Sequence, residues 1–477
     1  MKVLLINPPE RKVIRSNLPS SVEELRGKNP PIGLLYVAAV LRGAGHDVSL
    51  FDAHAEDASY ADAGRRAARL KPDVVGIGFN SFTYLDALEV ARAVRNEWPA
   101  ATIVAGGVQP FLYPSETLAQ PEFDAIFAGE AEEQLVRAFE IMESKGLEGV
   151  EGGSVAGFAK KGDDLTGFAP APLIKELDSV PMPAWDMLDH GRYSSLITHL
   201  KPVTIMITSR GCPYRCRYCA LSPTGKVYRA HSPGRVVEEM KVCRGLGIRY
   251  LLLYDEVFSI NRRRVMEICD LIRKEGLRIP WMARVTADTV DFEMFKAMRS
   301  AGCDTVTMGV ESGSERVLEV IGRRQKIARI VEAFAEARRA GLKTIAYFMI
   351  GLPSETEADI ERSLKLASSL RADHVHASIF VPYPRSEIYT SALSSGVIKD
   401  DYWREFAASP SEDFVPPFWT ENFTEDELVA ALFRFYRRFY LSPKRVVSSA
   451  ARALRDLGVK RLGKAARAIF GRGGRRS

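Results

Sequence analysis

The sequence predicts an α/β protein in two parts: a doubly wound parallel sheet over residues 1–144, then a partial (β/α)6 barrel over residues 201–390, with a helical extension beyond it. Three observations predict this. Apolar, β-branched runs alternate with segments of helical periodicity in both parts. A stretch rich in Gly, Lys, Asp and Pro separates them. The length of 477 residues exceeds what one ordinary core accommodates.

In the first part the strand-like runs are KVLLIN, DVSLFD, DVVGIGF, ATIVAGG and DAIFAG, with helical patterns such as YLDALEVARAVRNEW between them. This alternation belongs to a parallel sheet covered on both faces, whose ligands bind at the strand carboxyl ends. Those ends carry Asn7, Ser81, Gly106, Gly107, Gly129 and Glu130. Residues 145–200 read as a linker with one hairpin, because EGGSVAGFAKKGDD is turn-rich and Pro181 and Pro183 block regular structure. The second alternation runs through PVTIMITS, RYLLLYDE, IPWMARVTA, DTVTMGVE, KTIAYFMIG and HVHASIFVPY. One amphipathic helix separates each pair, as in a parallel barrel with its active site at the strand C-termini. There stand Asp255, Glu256, Arg284, Glu311, Ser312 and Gly351. Residues 391–441 read as helical, and 442–477 as a basic tail.

With 46% hydrophobic and 26% charged residues, the composition is that of a soluble globular protein. No apolar run approaches the ~20 residues needed to span a bilayer. The opening MKVLLINPPE is too brief for a secretory core, so a cytoplasmic protein is expected. In that compartment six cysteines argue for metal or redox chemistry wherever they cluster, not for disulfides. Cys243, Cys269 and Cys303 are scattered and read as small buried hydrophobes.

Cys212, Cys216 and Cys219 do cluster, as C-x3-C-x2-C just after the first barrel strand, with Gly211 and Pro213 favouring a loop. Structural zinc normally closes with four protein ligands, whereas a cubane held by three thiolates keeps one iron open. No His or Cys lies at zinc-finger spacing. CPYRCRYC, with Tyr218 just before the last cysteine, resembles the signature of the radical S-adenosylmethionine (SAM) enzymes. The resemblance implies an oxygen-sensitive 4Fe–4S cluster on Cys212, Cys216 and Cys219, its open iron chelated by SAM. It also implies reductive cleavage of SAM to a 5′-deoxyadenosyl radical that abstracts hydrogen from a C–H bond, with an electron donor such as flavodoxin or ferredoxin.

The same resemblance assigns SAM contacts, Tyr218 among them. LYDEVF is similar to the segment that meets the SAM amino group, through Asp255 or Glu256, with a helix cap as the competing role. MGVESGSERV resembles the fourth-strand segment, with Glu311 and Ser312 as contacts. MIGLPSET resembles the adenine-contact region from Ile350 to Pro353, although Gly351 also suits a plain turn. Arg284 pairs either with the SAM carboxylate or with a surface acid.

No G-x-G-x-x-G or G-x4-G-K-[ST] follows the first strand. Instead NPP, PPIGLLYVAAVLRGAGHDVSLFDA, GIGFNSFTY, GGVQPFLYP and FAGEAEEQLV occur in the order of the Rossmann-like cobalamin-binding domain that precedes the barrel in one radical SAM subgroup, the class B methylase-like enzymes. The two resemblances cover residues 1–390. They imply corrin contacts at Asn7, Ser81 and Thr83, then Gly106 and Gly107, then Gly129 and Glu130, where small residues bring the macrocycle close to the sheet. Ordinary turn glycines are the competing reading. DAHAED departs twice from the Asp-x-His-x-x-Gly pattern of cobalt-ligating histidines, so His54 reads as a loop residue and the cobalamin as base-off.

The implied reaction is methyl transfer from methylcobalamin to carbon, with oxidative cyclisation or rearrangement as alternatives and a non-enzymatic corrinoid sensor as a third. The tail from Ser442 to Ser477 holds eleven Lys and Arg against Asp456, a local +10 that leaves the rest of the chain at −4 of the +6 total. Leu454, Leu457, Leu462, Ala466 and Ile469 recur there at near-helical spacing. That suits peripheral contact with an anionic membrane and a lipid-like small-molecule substrate, or equally a solvated end. The tail lacks aromatics interleaved among its basic residues for base stacking, so nucleic acid is not expected.

Overall fold

The computed structural model describes residues 1–14, 27–220 and 225–441. The five apolar runs of the first part are β1 (Lys2–Asn7), β2 (Asp47–Asp52), β3 (Val74–Phe79), β4 (Thr102–Gly107) and β5 (Ala125–Phe127). They lie parallel in the order β2-β1-β3-β4-β5. The chain leaves β1 to one side for β2 and passes to its other side for β3, which opens a crevice at the carboxyl ends. Helices Ile32–Gly43, Tyr60–Leu70, Tyr84–Glu97 and Gln134–Lys145 cover the sheet. Residues buried on both faces explain why β1 is a continuous apolar run: Val3, Leu4, Leu5 and Ile6 are all buried. Ser59 and Asp62 start the second of these helices as a reciprocal capping box.

The expected linker behaves differently from its reading. Its strand β6 (Phe158–Lys160) pairs antiparallel with β5 and becomes the sixth strand of the first sheet, not half of a separate hairpin. β5 would otherwise present an unpaired edge, and Phe158 and Ala159 are buried in closing it. The rest of the segment is fastened to the same part and, through Ile174, Asp178 and Val180, to the second. Tyr193 donates to Asp52 Oδ2 at 2.8 Å, and the Ala184 N–H to the Leu35 carbonyl at 3.1 Å.

The second sheet opens with β7 (Val203–Met206). Beyond it β8 (Ser209–Arg210) and β9 (Arg229–Ala230) form a small antiparallel pair. The sheet continues through β10 (Tyr250–Leu253), β11 (Trp281–Val285), β12 (Cys303–Glu311), β13 (Lys343–Ile350) and β14 (His374–Ile379). The six long strands lie parallel in chain order from β7 to β14 and make the expected open half-barrel. Ser232, Asn261 and Asp291 cap the first three outer helices by accepting the N–H three residues on.

A C-terminal segment ties the halves together. Trp403 and Phe406 meet Phe82 and Tyr84 of the first part edge-on, with ring centroids 6.1 Å apart in each case. Helix Glu425–Tyr440 then seals the free edge of β14: the Tyr436 and Tyr440 hydroxyls, one turn apart, accept from the N–H groups and donate to the carbonyls of Ala377 and Val375. Among the described residues no helix is long and apolar enough to cross a membrane. The basic tail lies outside the described residues.

Candidate active site

The three clustered cysteines follow β8, on a loop whose turn begins at Gly211 (φ +83°). The backbone of that loop is pinned from two sides: the Arg217 N–H donates to Ile321 O at 2.9 Å, and the Ile388 N–H to Arg217 O at 3.0 Å. All three thiols are free, and Cys219 is exposed. Although the residue is exposed, desolvation of its sulfur by the surrounding loop pushes the Cys219 thiol up to about 11, and the neighbouring Cys216 and Cys212 push it the same way. The thiols are therefore close enough to feel one another. Yet among the described residues no group of three or more His, Cys, Asp and Glu converges as a single-ion site. The scattered Cys243, Cys269 and Cys303 are fully buried, as read.

Around this loop stand the strand ends of the half-barrel. Tyr218 donates to Glu311 Oε1 at 3.1 Å. Glu311 ends β12 at φ +64°, a left-handed conformation costly for a side chain, beside a register shift against β13. Burial pushes its carboxyl up, opposed by Arg323 and the Tyr218 hydroxyl. Arg323, which no sequence motif marked, lies 3.8 Å from Cys216 Sγ and 3.9 Å from Glu311. Its guanidinium favours the charged form of Glu311.

Three residues read as SAM contacts serve other partners. Asp255 is fully buried and accepts from the Thr208 N–H and hydroxyl, both at 2.6 Å, and from Ser209 Oγ at 2.7 Å. Its oxygens hold the root of the cysteine loop, and Glu256 is the carboxylate of the pair that faces the cavity described below. Ser312 is buried against Ser363 and accepts from the Ser314 N–H. The Gly351 N–H is taken by Glu355 at 2.7 Å, and a side chain there would strike Leu428, so Gly351 is a turn glycine beside buried Ile350. Arg284 is exposed and stacks on Tyr254, 4.1 Å from its ring centroid.

A cavity of about 600 Å³ lies between the two sheets. Its wall takes Asn7, Thr83, Gly106, Gly107, Gly129 and Glu130 from the first part. From the second it takes Ile207, Arg210, Tyr254 and Glu256. Ser81, read as a corrin contact, is not in the wall: its hydroxyl donates to buried Gln109 at 2.6 Å. His54 is absent from the wall as well.

The Radical SAM superfamily profile matches residues 206–367, and the B12 binding domain profile residues 21–139. An uncharacterised methyltransferase of Pyrococcus horikoshii is 32% identical over 450 residues, covering 93% of each chain. This chain belongs to the cobalamin-dependent radical SAM enzymes. The anaerobic magnesium-protoporphyrin IX monomethyl ester cyclase of Cereibacter sphaeroides is 28% identical over 450 residues, 92% of this chain and 70% of its own. In fold, the chain is similar to the radical SAM methyltransferase TsrM of Kitasatospora setae, solved with cobalamin and a 4Fe–4S cluster bound. That TM-score is 0.67 at 16% identity, over 83% of this chain and 78% of that one.

The cofactors of such an enzyme are a 4Fe–4S cluster, SAM and cobalamin, and the residues present fit them. Three thiols on one loop, not gathered on one point, suit a cubane that takes one thiolate per iron. For cobalamin the wall offers an open floor: a Cβ added at Gly106 would meet nothing nearer than Ile77 O at 3.9 Å. Gly107 and Gly129 have another cause, since their φ values are +103° and +107° and a Cβ would strike Phe79 O at 2.3 Å or Ala171 N at 2.7 Å. The hydroxyl of Tyr36, a wall residue, is buried without a protein partner. Such a group needs a ligand or water to satisfy it.

Proposed function

We propose that this enzyme transfers a methyl group to an unactivated carbon of a small-molecule substrate held between its two sheets. The observation that supports this most is the shared cavity, whose wall joins strand ends of the first sheet to Arg210, Tyr254 and Glu256 of the second. When bound, SAM on the cluster supplies the hydrogen-abstracting radical and cobalamin supplies the methyl group. The chain's own part is positional. Cys212, Cys216 and Cys219 hold the cluster. Tyr218, Glu256, Arg284, Glu311 and Ile350 serve SAM, with Asp255, Ser312 and Gly351 shaping the backbone behind them. Asn7, Thr83, Gly106 and Glu130 serve the corrin, and the aliphatic wall at Leu34, Val37 and Leu135 excludes water.

A flavodoxin- or ferredoxin-type donor reaches the cluster loop on the side of exposed Cys219. The composition of the basic tail supports contact with an anionic membrane; full-length protein should pellet with anionic vesicles more than a chain ending at Leu441, and equal pelleting overturns this. The relatives carry two outcomes in their names, methyltransferase and cyclase. Anaerobic reconstitution with iron, sulfide and cobalamin, followed by mass analysis of SAM products, separates them. Deoxyadenosine together with S-adenosylhomocysteine is expected. Deoxyadenosine alone would replace methylation by cyclisation or rearrangement.

A further inference from the structure

Arg210 and Arg229 are register partners on the antiparallel pair β8–β9, so their side chains leave the same face. Like charges directly opposite each other destabilise such a pair. Here both are buried, and each meets carboxylates from the first sheet's domain. Arg229 grips Glu130 with two bonds, at 2.7 and 2.8 Å. Arg210 donates to Glu132 Oε1 at 2.5 Å and lies 3.6 Å from Glu130. Its guanidinium also faces the Tyr36 ring, 5.0 Å from the centroid.

Both ends of this network are functional ground. Arg210 stands two residues before Cys212, the first cluster thiol. Glu130, Glu132, Arg210 and Tyr36 all line the shared cavity. The root of the cysteine loop thus has two anchors. Asp255 fixes Thr208 and Ser209 to the half-barrel, and the arginines fix the next turn to the wall of the cobalamin cavity. An occupant of the cavity would bear on Glu130 and Glu132, and through them on Arg210 and the turn leading to Cys212.

Resting on the reading that the cavity takes cobalamin and the loop takes the cluster, we propose that Arg210 is a positioning residue that couples the two cofactor sites, so that filling the cavity steadies the cluster. Linkage makes the effect reciprocal, and couplings of this kind typically amount to about 5- to 150-fold.

The test follows iron loss from the cluster of full-length protein exposed anaerobically to a ferrous chelator, with and without saturating hydroxocobalamin. Bound iron and corrinoid are counted in the same samples, so loss of either cofactor is distinguishable from loss of coupling. Cobalamin should slow iron release about tenfold in the unaltered protein, the coupling being carried mainly by the off-rate. It should slow release less than about twofold in Arg210→Lys, which keeps the charge but not the fork. Glu132→Gln should behave likewise and serves as the second variant. The proposal is overturned if cobalamin leaves release from the unaltered protein unchanged. It is equally overturned if Arg210→Lys speeds release by one factor in both states, the mark of a merely structural arginine.

Discussion

At the carboxyl end of the first sheet the cavity wall, apart from Glu130 and Glu132 where it meets the second, is largely glycine and aliphatic carbon, and what matters there is shape. At the carboxyl end of the second sheet the wall carries the charges of Arg210 and Glu256, and the buried charges there, Arg210 and Asp255, are placed by hydrogen bonds to groups far away in the chain. The same strand–helix alternation therefore builds one side of the site by leaving space and the other by fixing charge. The two sides should respond differently to substitution.

The largest effect is expected from removing a cluster thiol. Cys216→Ala should abolish SAM cleavage, with deoxyadenosine falling below detection. Corrinoid absorbance after reconstitution at saturating cobalamin should survive, because the first sheet does not depend on the thiol for its shape and the coupling lowers affinity without abolishing binding. Loss of both together would break the contrast between the sheets.

Next comes the anchor of the cysteine loop. Asp255 receives three donors while fully buried. Asp255→Ala leaves them unpaired and should cost about 4 kcal/mol, at roughly 1–3 kcal/mol per buried unsatisfied group. Denaturant unfolding measures this. Iron content after reconstitution should fall in parallel, since the residue holds the root of the loop.

A smaller effect belongs to Glu355, which takes the N–H groups of Gly351 and Leu352 at the end of β13. Burial pushes its carboxyl up to about 7. The folded chain then holds a proton that the unfolded chain releases near the usual carboxylate value, so the fold binds more protons between about pH 4.5 and 7. Stability from this group is full below pH 4.5 and declines as pH rises to 7, by up to about 3 kcal/mol. Glu355→Gln keeps an acceptor without the charge, so its advantage over the unaltered protein should grow from pH 5 to pH 8 in denaturant midpoints. A difference that stays flat with pH would show the carboxyl to be an ordinary one.

Both sheets could be read in the sequence because β-branched runs and helical periodicity are local signals, and the cysteine triplet because its members sit seven residues apart at most. What could not be read is which distant residues meet. Asp255 looked like a cofactor contact from its strand-end position, but its partners are 46 and 47 residues away. Arg323 carries no motif and reaches Cys216 across 107 residues. The Arg229–Glu130 pair spans 99. β6 was hidden for a different reason: only three residues long among turn residues, it is a strand because β5 offers it an edge.

The finest contrast lies between two adjacent glycines of β4. Both were read as room for a macrocycle, but only Gly106 faces open space; Gly107 is demanded by its backbone conformation and by Phe79 O. Gly106→Leu should therefore fold normally, with a melting temperature within about 2 °C of the unaltered protein, as is usual for a substitution that meets no neighbour. It should weaken cobalamin binding at least tenfold, about 1.4 kcal/mol, by filling the floor of the cavity. Gly107→Ala should do the reverse, lowering stability by about 2 kcal/mol through strain at positive φ, with corrinoid affinity falling only as far as the folded fraction does. Spectrophotometric titration with hydroxocobalamin alongside thermal melts distinguishes the two. If Gly106→Leu binds cobalamin as well as the unaltered protein, the first sheet does not meet the corrin at this strand end, and shape there is not what receives the cofactor.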